Sequence, residues 1–284
     1  MPDLFEDIET QSQTVKNPMG ADVKTISDRS MVDIAEKNKL TVRVVSVHCL
    51  KLGIVPLRYL RNSPSISLDE QIILAESQVA VVGCGGLGGH VIVLLARLGI
   101  GKLLVFDPDT FDETNLNRQA LCRSDTLGAF KAEEAARQCA MINPAMEVRS
   151  HVLAITYPSQ NHYFSNTDVI VDALDNAQDR LFLASLARDL KIPMVHGAVA
   201  GFEGRVMTIA PGSTSIETLY HVEKTTTPQA SAEILLGTPA LAPALIATFQ
   251  TMSVLKILLK RSPMADNSFL HFDLGKESFN TFTL

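Results

Sequence analysis

From residue 78 onward, short apolar runs alternate with longer segments of mixed polarity. Short runs rich in Val, Ile and Leu are typical of buried strands, and longer periodic segments are typical of helices. The pattern predicts strands at residues 78–82, 102–106, 147–153, 168–173 and 193–198, and helices at 90–98, 129–142 and 177–190. Because alternating strands and helices build a parallel sheet with right-handed crossovers, we expect a Rossmann-like, doubly wound α/β fold.

Both ends of the chain depart from this alternation. Residues 204–211 predict a strand, residues 239–259 a long apolar helix, and residues 269–273 with 278–284 a closing hairpin. The sheet should therefore be mostly parallel, with antiparallel strands at its C-terminal side. Residues 212–238 are rich in Thr, Ser and Pro, and a loop of that length is usually functional or disordered.

The N-terminal residues 1–55 form a predicted extension, and residues 56–284 form the predicted main domain. Residues 1–27 are polar and weakly patterned, which predicts a flexible arm. Residues 28–55 predict a short helical pair, although the β-branched run at 42–47 leaves helix and strand both open.

Composition excludes several classes of protein. The 284 residues carry a net charge of −6, which argues against a general nucleic-acid binder. The sequence contains no run of about 18 uncharged apolar residues, so no membrane span is expected. Its 4 cysteines form no C-x-x-C pair, so no zinc site of paired thiolates is expected. Few cysteines and an acidic start without a secretion pattern suit a reducing cytoplasm.

A glycine-rich loop joins the first predicted strand of the alternating region to the next helix. Its residues are Gly83, Cys84, Gly85, Gly86, Leu87 and Gly88. Glycines let a ligand approach the backbone, and the helix N-terminus attracts phosphate, so the loop predicts a nucleotide site. The alternative is a tight turn without a ligand. Cys84 is either a reactive thiol or, as we expect, a small buried residue.

Acidic and cationic side chains follow the loop. Asp107 ends the second strand, where an acid commonly accepts hydrogen bonds from ribose hydroxyls in NAD and ATP enzymes alike. Asp109 either orients a basic partner or caps a turn. Asn115, Arg118 and Lys131 supply donors and positive charge suited to phosphates, which hydride transfer does not require.

A further polar pair follows the strand at 168–173. Asp175 could hold Mg²⁺ together with substrate phosphates, whereas Asp175 and Asn176 both suit the N-cap of the helix at 177–190. Arg58 and Arg61 taken alone predict only an exposed basic turn. His196 has no second ligand nearby in sequence, so no chemistry is assigned to it.

These motifs resemble the bacterial ubiquitin-activating-type adenylyltransferases, the family that includes MoeB, ThiF and HesA. The similarity extends from Arg58 to Leu284. It rests on Arg-Tyr-x-Arg, the G-x-G-G-x-G loop, Asp-x-Asp, Asn-x-x-Arg-Gln, the Gly-x-x-Lys at 128–131, Asp-Asn at 175–176, and the segment 197–204.

The resemblance implies Mg-ATP-dependent adenylation of the C-terminal glycine of a small ubiquitin-like sulfur carrier. It implies that Asp107 holds the ribose, that the 83–88 loop holds the nucleotide, that Asn115, Arg118 and Lys131 contact phosphates, and that Asp175 holds magnesium. It also implies that Arg61 reaches into a partner subunit's site, hence a homodimer. The 212–238 segment would lie over the carrier's tail.

This sequence departs from the family pattern in three respects. The two zinc-binding C-x-x-C pairs of many members are absent, the 212–238 segment has no cysteine, and residues 1–55 exceed the minimal member. The first two departures favour a MoeB-like role, in which sulfur comes from elsewhere, over thiamine synthesis. Open alternatives are another carboxylate substrate, such as a tRNA base, peptide or cofactor precursor, an NAD-dependent oxidoreductase, and a non-catalytic scaffold.

Overall fold

A computed structural model describes residues 2–213, 215–220, 235–262 and 267–284. Its main feature is an eight-stranded sheet with the strand order β11-β10-β9-β8-β7-β4-β5-β6. The strands are β4 (Gln78–Val82), β5 (Lys102–Phe106), β6 (Glu147–His151), β7 (Val169–Asp172), β8 (Met194–Ala200), β9 (Glu203–Ile209), β10 (Ser268–Asp273) and β11 (Ser278–Thr283). Strands β4 to β8 pair in parallel and β9 to β11 pair antiparallel, which confirms the predicted fold class.

Helices cover both faces of this sheet. They are α4 (Leu68–Glu76), α5 (Gly86–Leu98), α6 (Lys131–Ile142), α7 (Ala177–Leu190), α8 (Ser215–Leu219) and α9 (Leu241–Leu258). Successive strand residues point to opposite faces, so Val79 and Val81 belong to one core while Ala80 and Val82 belong to another. Since residues 79–82 of β4 are all buried, on one face or the other, this part of the strand is apolar without alternation.

Helix α9 is long and apolar enough, by length and composition, to cross a bilayer. Half of it is buried, and it packs against α5 and against strands β7, β8 and β9. Gln250, in its middle, is fully buried and donates a hydrogen bond of 2.8 Å to the backbone oxygen of Asp172. These contacts make α9 a core helix of the α/β domain.

The N-terminal residues fold into their own small unit, which corrects the predicted flexible arm at 1–27. The unit contains α1 (Pro2–Gln11), β1 (Gln13–Lys16), β2 (Asp22–Ile26), α2 (Asp28–Asn38), α3 (Val42–Lys51) and β3 (Val55–Pro56). Leu4, Ile8 and Ile26 are buried with residues of α2 and α3, and this shared core orders the segment. The few apolar positions between polar residues gave a weak sequence signal.

The β-branched run at 42–47 is helical, as part of α3. Thr41 caps this helix by accepting a hydrogen bond from the backbone N–H of Val44, and the preceding helix α2 ends at Lys39 in the left-handed conformation. The two capped helices confirm the predicted helical pair. Burial of Val45 and Val47 outweighs the low helix propensity of valine.

Several element ends differ from the predicted ones. Helix α5 already begins at Gly86, because the glycines of the loop form its first turn. Helix α6 begins at Lys131, since Phe130 forms a bridge with Thr110 instead. Much of the predicted 212–238 excursion lies at 221–234, outside the described residues, so its suggested position over a carrier tail stays a prediction.

Candidate functional site

The glycine loop passes close to the end of β7, and two of its glycines are required by that approach. Gly83 has a φ of 96°, and a Cβ atom there would lie 2.5 Å from the backbone oxygen of Ala173. A Cβ atom on Gly88 would lie 1.8 Å from the backbone oxygen of Gly83. No larger residue fits at either position without moving backbone, so the loop and the start of α5 are held tightly against the sheet.

Asp107 connects this loop to the end of β5. Its carboxylate accepts hydrogen bonds from the backbone N–H of Cys84 (2.7 Å) and of Asp109 (2.9 Å). Burial raises the pKa of Asp107, although both hydrogen bonds oppose the shift. Cys84 is fully buried, and burial raises the pKa of its thiol well above the usual value, as expected for an unreactive packing residue.

Lys131 projects into the space in front of the loop from the first turn of α6. Its Nζ lies 3.0 Å from an Asp109 carboxylate oxygen, and its backbone N–H donates to the Asp109 backbone oxygen at 2.9 Å. The lysine side chain is 10% exposed and that of Asp109 is 64% exposed. Asp109 therefore orients a basic partner, Lys131, which is one of the two roles that the sequence left open.

Arg118 and Asn115 have different positions. Arg118 lines the cleft beside Gly86, and its Nη1 donates to the Thr114 backbone oxygen (3.1 Å) and to Asn117 Oδ1 (2.9 Å). Asn115 is buried, and its Oδ1 accepts a hydrogen bond from the backbone N–H of Asp112. Asn115 thus shapes the turn that presents Arg118 and does not itself line the cleft.

Gln119, the last residue of the Asn-x-x-Arg-Gln motif, also lines the cleft, although the sequence suggested no role for it. It is 6% exposed, and its Nε2 lies 3.7 Å from where a Cβ atom on Gly85 would be. Its Oε1 is buried without a hydrogen-bond partner among the described residues. A buried acceptor of this kind suits a ligand that donates a hydrogen bond.

Asp175 and Asn176 follow β7 and divide the two roles that the sequence left open. Asn176 caps α7, with its Oδ1 accepting from the backbone N–H of Asp179 at 2.9 Å. Asp175 is exposed, and its nearest described hydrogen-bond donor is Asn176 Nδ2 at 3.5 Å. The carboxylate of Asp175 therefore remains accessible for a cation.

Two cavities meet at Asp175. The first, called here the nucleotide cleft, has a volume of about 400 Å³. Its predicted site residues are Gly83, Gly85, Gly86, Leu87, Asp107, Asp109, Arg118, Lys131, Asp175 and Asn176. The second, called here the acyl cavity, has a volume of about 300 Å³, and it shares Asp175 and Val199 with the first. A ligand in each cavity would therefore reach the same carboxylate.

Small residues and charged groups of both signs form the walls of the acyl cavity. Ala198, Ala200 and Gly204 contribute the small side. Arg205 also lines it and places its guanidinium 4.7 Å from the ring centre of Tyr220. Asp175 and Glu203 also line the cavity, so its charges are of both signs, and only the side formed by Arg205 attracts a negatively charged group.

Arg61 lies apart from the other predicted site residues. It is exposed in the turn after a short 3-10 helix, Leu57–Tyr59. The neighbouring Tyr59 packs against Gly99 at the C-terminal end of α5, whereas the nucleotide cleft lies at the N-terminal end. Since α5 has 13 residues, these ends are about 20 Å apart, so Arg61 does not reach the cleft of its own chain.

The donor set fits a magnesium ion that arrives with a nucleotide. Mg²⁺ usually takes one or two carboxylates, with phosphates and water completing its coordination. Asp175 offers one accessible carboxylate, and no group of three or more His, Cys, Asp and Glu residues occurs within the described ranges. The four cysteines are all buried, and the prediction about zinc stays untested.

Sequence comparisons relate the chain to a known family. The sequence model of the ThiF family matches residues 59–284. The SAMP-activating enzyme E1 of Haloferax volcanii is 33% identical over 228 residues, which are 78% of this chain and 83% of that protein. A probable molybdopterin-synthase adenylyltransferase of Porphyra purpurea is 29% identical over 223 residues, 78% of this chain but only 58% of that protein.

Solved structures share the fold. The microcin C7 biosynthetic enzyme MccB, in complex with N-formylated MccA, aligns with a TM-score of 0.69 and 22% identity, over 89% of this chain and 82% of that one. E. coli MccB with AMPCPP and MccA aligns with a TM-score of 0.68 and 23% identity, over 80% of this chain and 71% of that one. At this identity the likeness establishes the fold alone.

Proposed function

We propose, starting from the fact that this chain belongs to the ThiF family and is an E1-like adenylyltransferase, that it activates a small ubiquitin-like sulfur carrier. The carrier's C-terminal glycine carboxylate would be converted to an acyl-adenylate with Mg-ATP. The observation that carries this proposal is the meeting of the nucleotide cleft and the acyl cavity at Asp175. That geometry supports a reaction between a carboxylate in one cavity and a phosphate chain in the other.

In this proposal ATP occupies the nucleotide cleft. The backbone of the 83–88 loop and the N-terminus of α5 hold phosphate oxygens, as helix N-termini commonly do. Asp107 accepts hydrogen bonds from the ribose with lone pairs that its two backbone contacts leave free. Arg118 and Lys131 bind the phosphates, and Lys131 exchanges its contact with Asp109 for a phosphate oxygen.

Adenylyl transfer joins the carrier carboxylate to the α-phosphorus of ATP. A carboxylate oxygen forms a bond to phosphorus, the bond from phosphorus to the bridging oxygen breaks, and pyrophosphate leaves with the electron pair. Arg118 and Lys131 stabilise the negative charge that grows on the phosphoryl oxygens. A magnesium ion held by Asp175 would supply further positive charge to the same phosphates.

The acyl cavity suits a tail that ends in Gly-Gly. Its Ala198, Ala200 and Gly204 form a wall with little side-chain bulk, along which an extended chain without side groups can lie. A Cβ atom on Gly204 would lie 2.4 Å from Ile246 of α9, which does not line the cavity, so packing against α9 is what requires this glycine. Arg205 would attract the terminal carboxylate before it is adenylated.

We further propose a MoeB-like role for the enzyme. In this role the enzyme activates the carrier, and a separate donor then supplies the sulfur. The names of the Haloferax and Porphyra relatives support a ubiquitin-like carrier and a molybdopterin connection. A homodimer would place Arg61 in the partner's site, and the enzyme would act in the cytoplasm. The acidic net charge of −6 does not favour a tRNA base as the acyl substrate.

ATP–pyrophosphate exchange tests the proposal directly. Exchange that requires a Gly-Gly-ending carrier would establish both the reaction and its substrate. Exchange that instead requires a peptide or a small carboxylate would keep adenylation and replace the carrier. No exchange with any carboxylate, despite measurable ATP binding, would contradict an adenylyltransferase function.

Arg118→Ala is expected to lower carrier-dependent exchange by about 100-fold or more, because one charge-stabilising contact to the transition state contributes about that much. The matched control is Arg149→Ala, which removes an exposed arginine of β6 that lines neither cavity. Circular dichroism should show both variants folded. Equal exchange rates in the two variants would contradict the role of Arg118.

A further inference from the structure

A closed ring of hydrogen bonds lies directly behind Asp175. Asp172 Oδ2 lies 2.7 Å from His196 Nδ1, and His196 Nε2 lies 3.2 Å from the hydroxyl of Tyr220. Arg180 Nη1 donates to that hydroxyl at 2.8 Å, and its Nε donates to the backbone oxygen of Leu174 at 3.1 Å. The backbone N–H of Leu174 donates a hydrogen bond of 3.0 Å to Asp172 Oδ1, which closes the ring.

The donors and acceptors of this ring form one consistent sequence. Asp172 accepts, so His196 Nδ1 carries the proton and Nε2 is left as an acceptor. Tyr220 donates to Nε2 and accepts from Arg180. Burial lowers the pKa of His196, although Asp172 opposes the shift, so the imidazole stays neutral as this arrangement requires.

The ring holds the backbone just before Asp175. Both polar groups of Leu174 are bonded within it, its N–H to Asp172 and its oxygen to Arg180. Leu174 is the residue adjacent to Asp175, and it also lines the nucleotide cleft. Asp175 has only the 3.5 Å contact with Asn176 among the described residues, so the backbone of Leu174 is the nearest firmly bonded group to the start of its side chain.

Tyr220 adds a connection to another element. It directly follows α8. Ile216 of α8 is buried in the core on the face of the sheet that α7 covers, and Glu217 of α8 forms a salt bridge with Arg188 of α7. Tyr220 also forms part of the acyl cavity, beneath Arg205. A change in the position of α8 would therefore act on the ring through the tyrosine hydroxyl.

We propose that Asp172, Arg180, His196 and Tyr220 are positioning residues that hold Asp175 for magnesium, and that Tyr220 makes this hold depend on the docking of α8. The inference rests on the proposed role of Asp175 in the function above. None of the four residues needs to touch the nucleotide. Their effect should appear in the magnesium dependence and not in the affinity for ATP itself.

Tyr220→Phe removes only the hydroxyl that closes the ring. It is expected to raise the Mg²⁺ concentration for half-maximal exchange by about 10- to 100-fold, the usual effect of losing a group that orients a metal ligand. ATP affinity without metal should stay within about twofold of wild type. A readout independent of turnover is Mn²⁺ binding, followed by electron paramagnetic resonance with a non-hydrolysable ATP analogue.

The matched control is Tyr157→Phe, which alters a tyrosine that is 67% exposed and outside both cavities. Asp175→Asn measures the full effect of the carboxylate. If Asp175→Asn weakens Mn²⁺ binding and Tyr220→Phe behaves as Tyr157→Phe does, the ring proposal is wrong while the proposed function stands. If Asp175→Asn leaves Mn²⁺ binding and exchange unchanged, the assumed role of Asp175 is itself wrong and the ring proposal is overturned with it.

A second variant guards against a folding defect in Tyr220→Phe. Arg180→Lys keeps the positive charge but cannot bond Tyr220 and Leu174 together, so it should show the same shift in Mn²⁺ affinity. Thermal unfolding shows whether each variant is folded at the assay temperature. Wild-type Mn²⁺ affinity in a folded Arg180→Lys protein would also overturn the proposal.

Discussion

At the scale of single residues, the site depends on places where only hydrogen fits. Gly83 and Gly88 face backbone atoms, whereas Gly85 and Gly86 face only the side chains of Gln119 and Arg118 at 3.5 Å or more. The four glycines look equivalent in the sequence motif. Their surroundings show that the first two fix the loop and that the other two border the nucleotide cleft.

Gly88→Ala should therefore damage the loop. Its added Cβ would lie 1.8 Å from the Gly83 backbone oxygen, so the start of α5 must move. We expect a loss of about 1–3 kcal/mol in the free energy of unfolding, as for other overpacked sites, together with weaker ATP binding. Urea denaturation and calorimetric titration with ATP measure the two effects.

Gly275→Ala is the control for this substitution, because its Cβ would meet nothing closer than 3.4 Å and its φ is not in the left-handed region. It should leave stability and ATP binding close to wild type. If the two alanine variants bind ATP equally well and are equally stable, the close approach at Gly88 is not what fixes the loop.

At the scale of elements, the strongly apolar segments were predictable from the sequence. The side-chain contacts between different elements were not. The buried strands β4, β5 and β7 follow from the local pattern because burial on both faces leaves an apolar run. Nothing in the sequence pairs Asp172 with His196, which is 24 residues away, because the contact exists only once β7 and β8 lie side by side.

The motif residues show the same limit. The sequence placed Arg118, Lys131 and Asp175 in one site, and the structure brings all three to the nucleotide cleft. The sequence alone could not distinguish Asn115, which supports a turn, from the residues that line the cleft. The sequence analysis did not predict that α1, β1 and β2 are folded. A small core needs only a few apolar residues from each element, so the apolar pattern there is weak.

That small N-terminal core gives a prediction of its own. Ile34 of α2 is fully buried in it beside Cys49, whose pKa burial raises to about 12. Ile34→Ala should cost about 2–5 kcal/mol in the stability of this unit, because it leaves a cavity. Labelling of the Cys49 thiol by a disulfide reagent should then accelerate, whereas Cys139, which α6 buries in the core of the main domain, should keep its wild-type rate.

Leu40→Ala serves as the comparison, since Leu40 is 37% exposed between α2 and α3. It should leave the labelling rate of Cys49 nearly unchanged. Equal acceleration of Cys49 and Cys139 in Ile34→Ala would contradict a separate N-terminal core and would indicate that the two units unfold together.

At the scale of the whole molecule, burial of neutral histidines should make stability depend on pH. Burial is the main cause that lowers the pKa values of His90, His151 and His196 in the folded chain. In the unfolded chain each should titrate near pH 6.5. Below that pH the unfolded state binds more protons than the folded state, so the free energy of unfolding must fall as pH falls.

The histidines should lower the stability of the fold between about pH 6.5 and about pH 4, the pH at which most carboxylates begin to titrate. Within this range, each fully affected histidine can contribute a slope of up to about 1.4 kcal/mol per pH unit. Urea denaturation at intervals between pH 7 and pH 5 should show stability decreasing towards acid. His196→Gln should reduce that slope. A slope unaffected by His196→Gln would mean that His196 does not stay neutral in the folded protein, contrary to the donor order of the ring that holds Asp175.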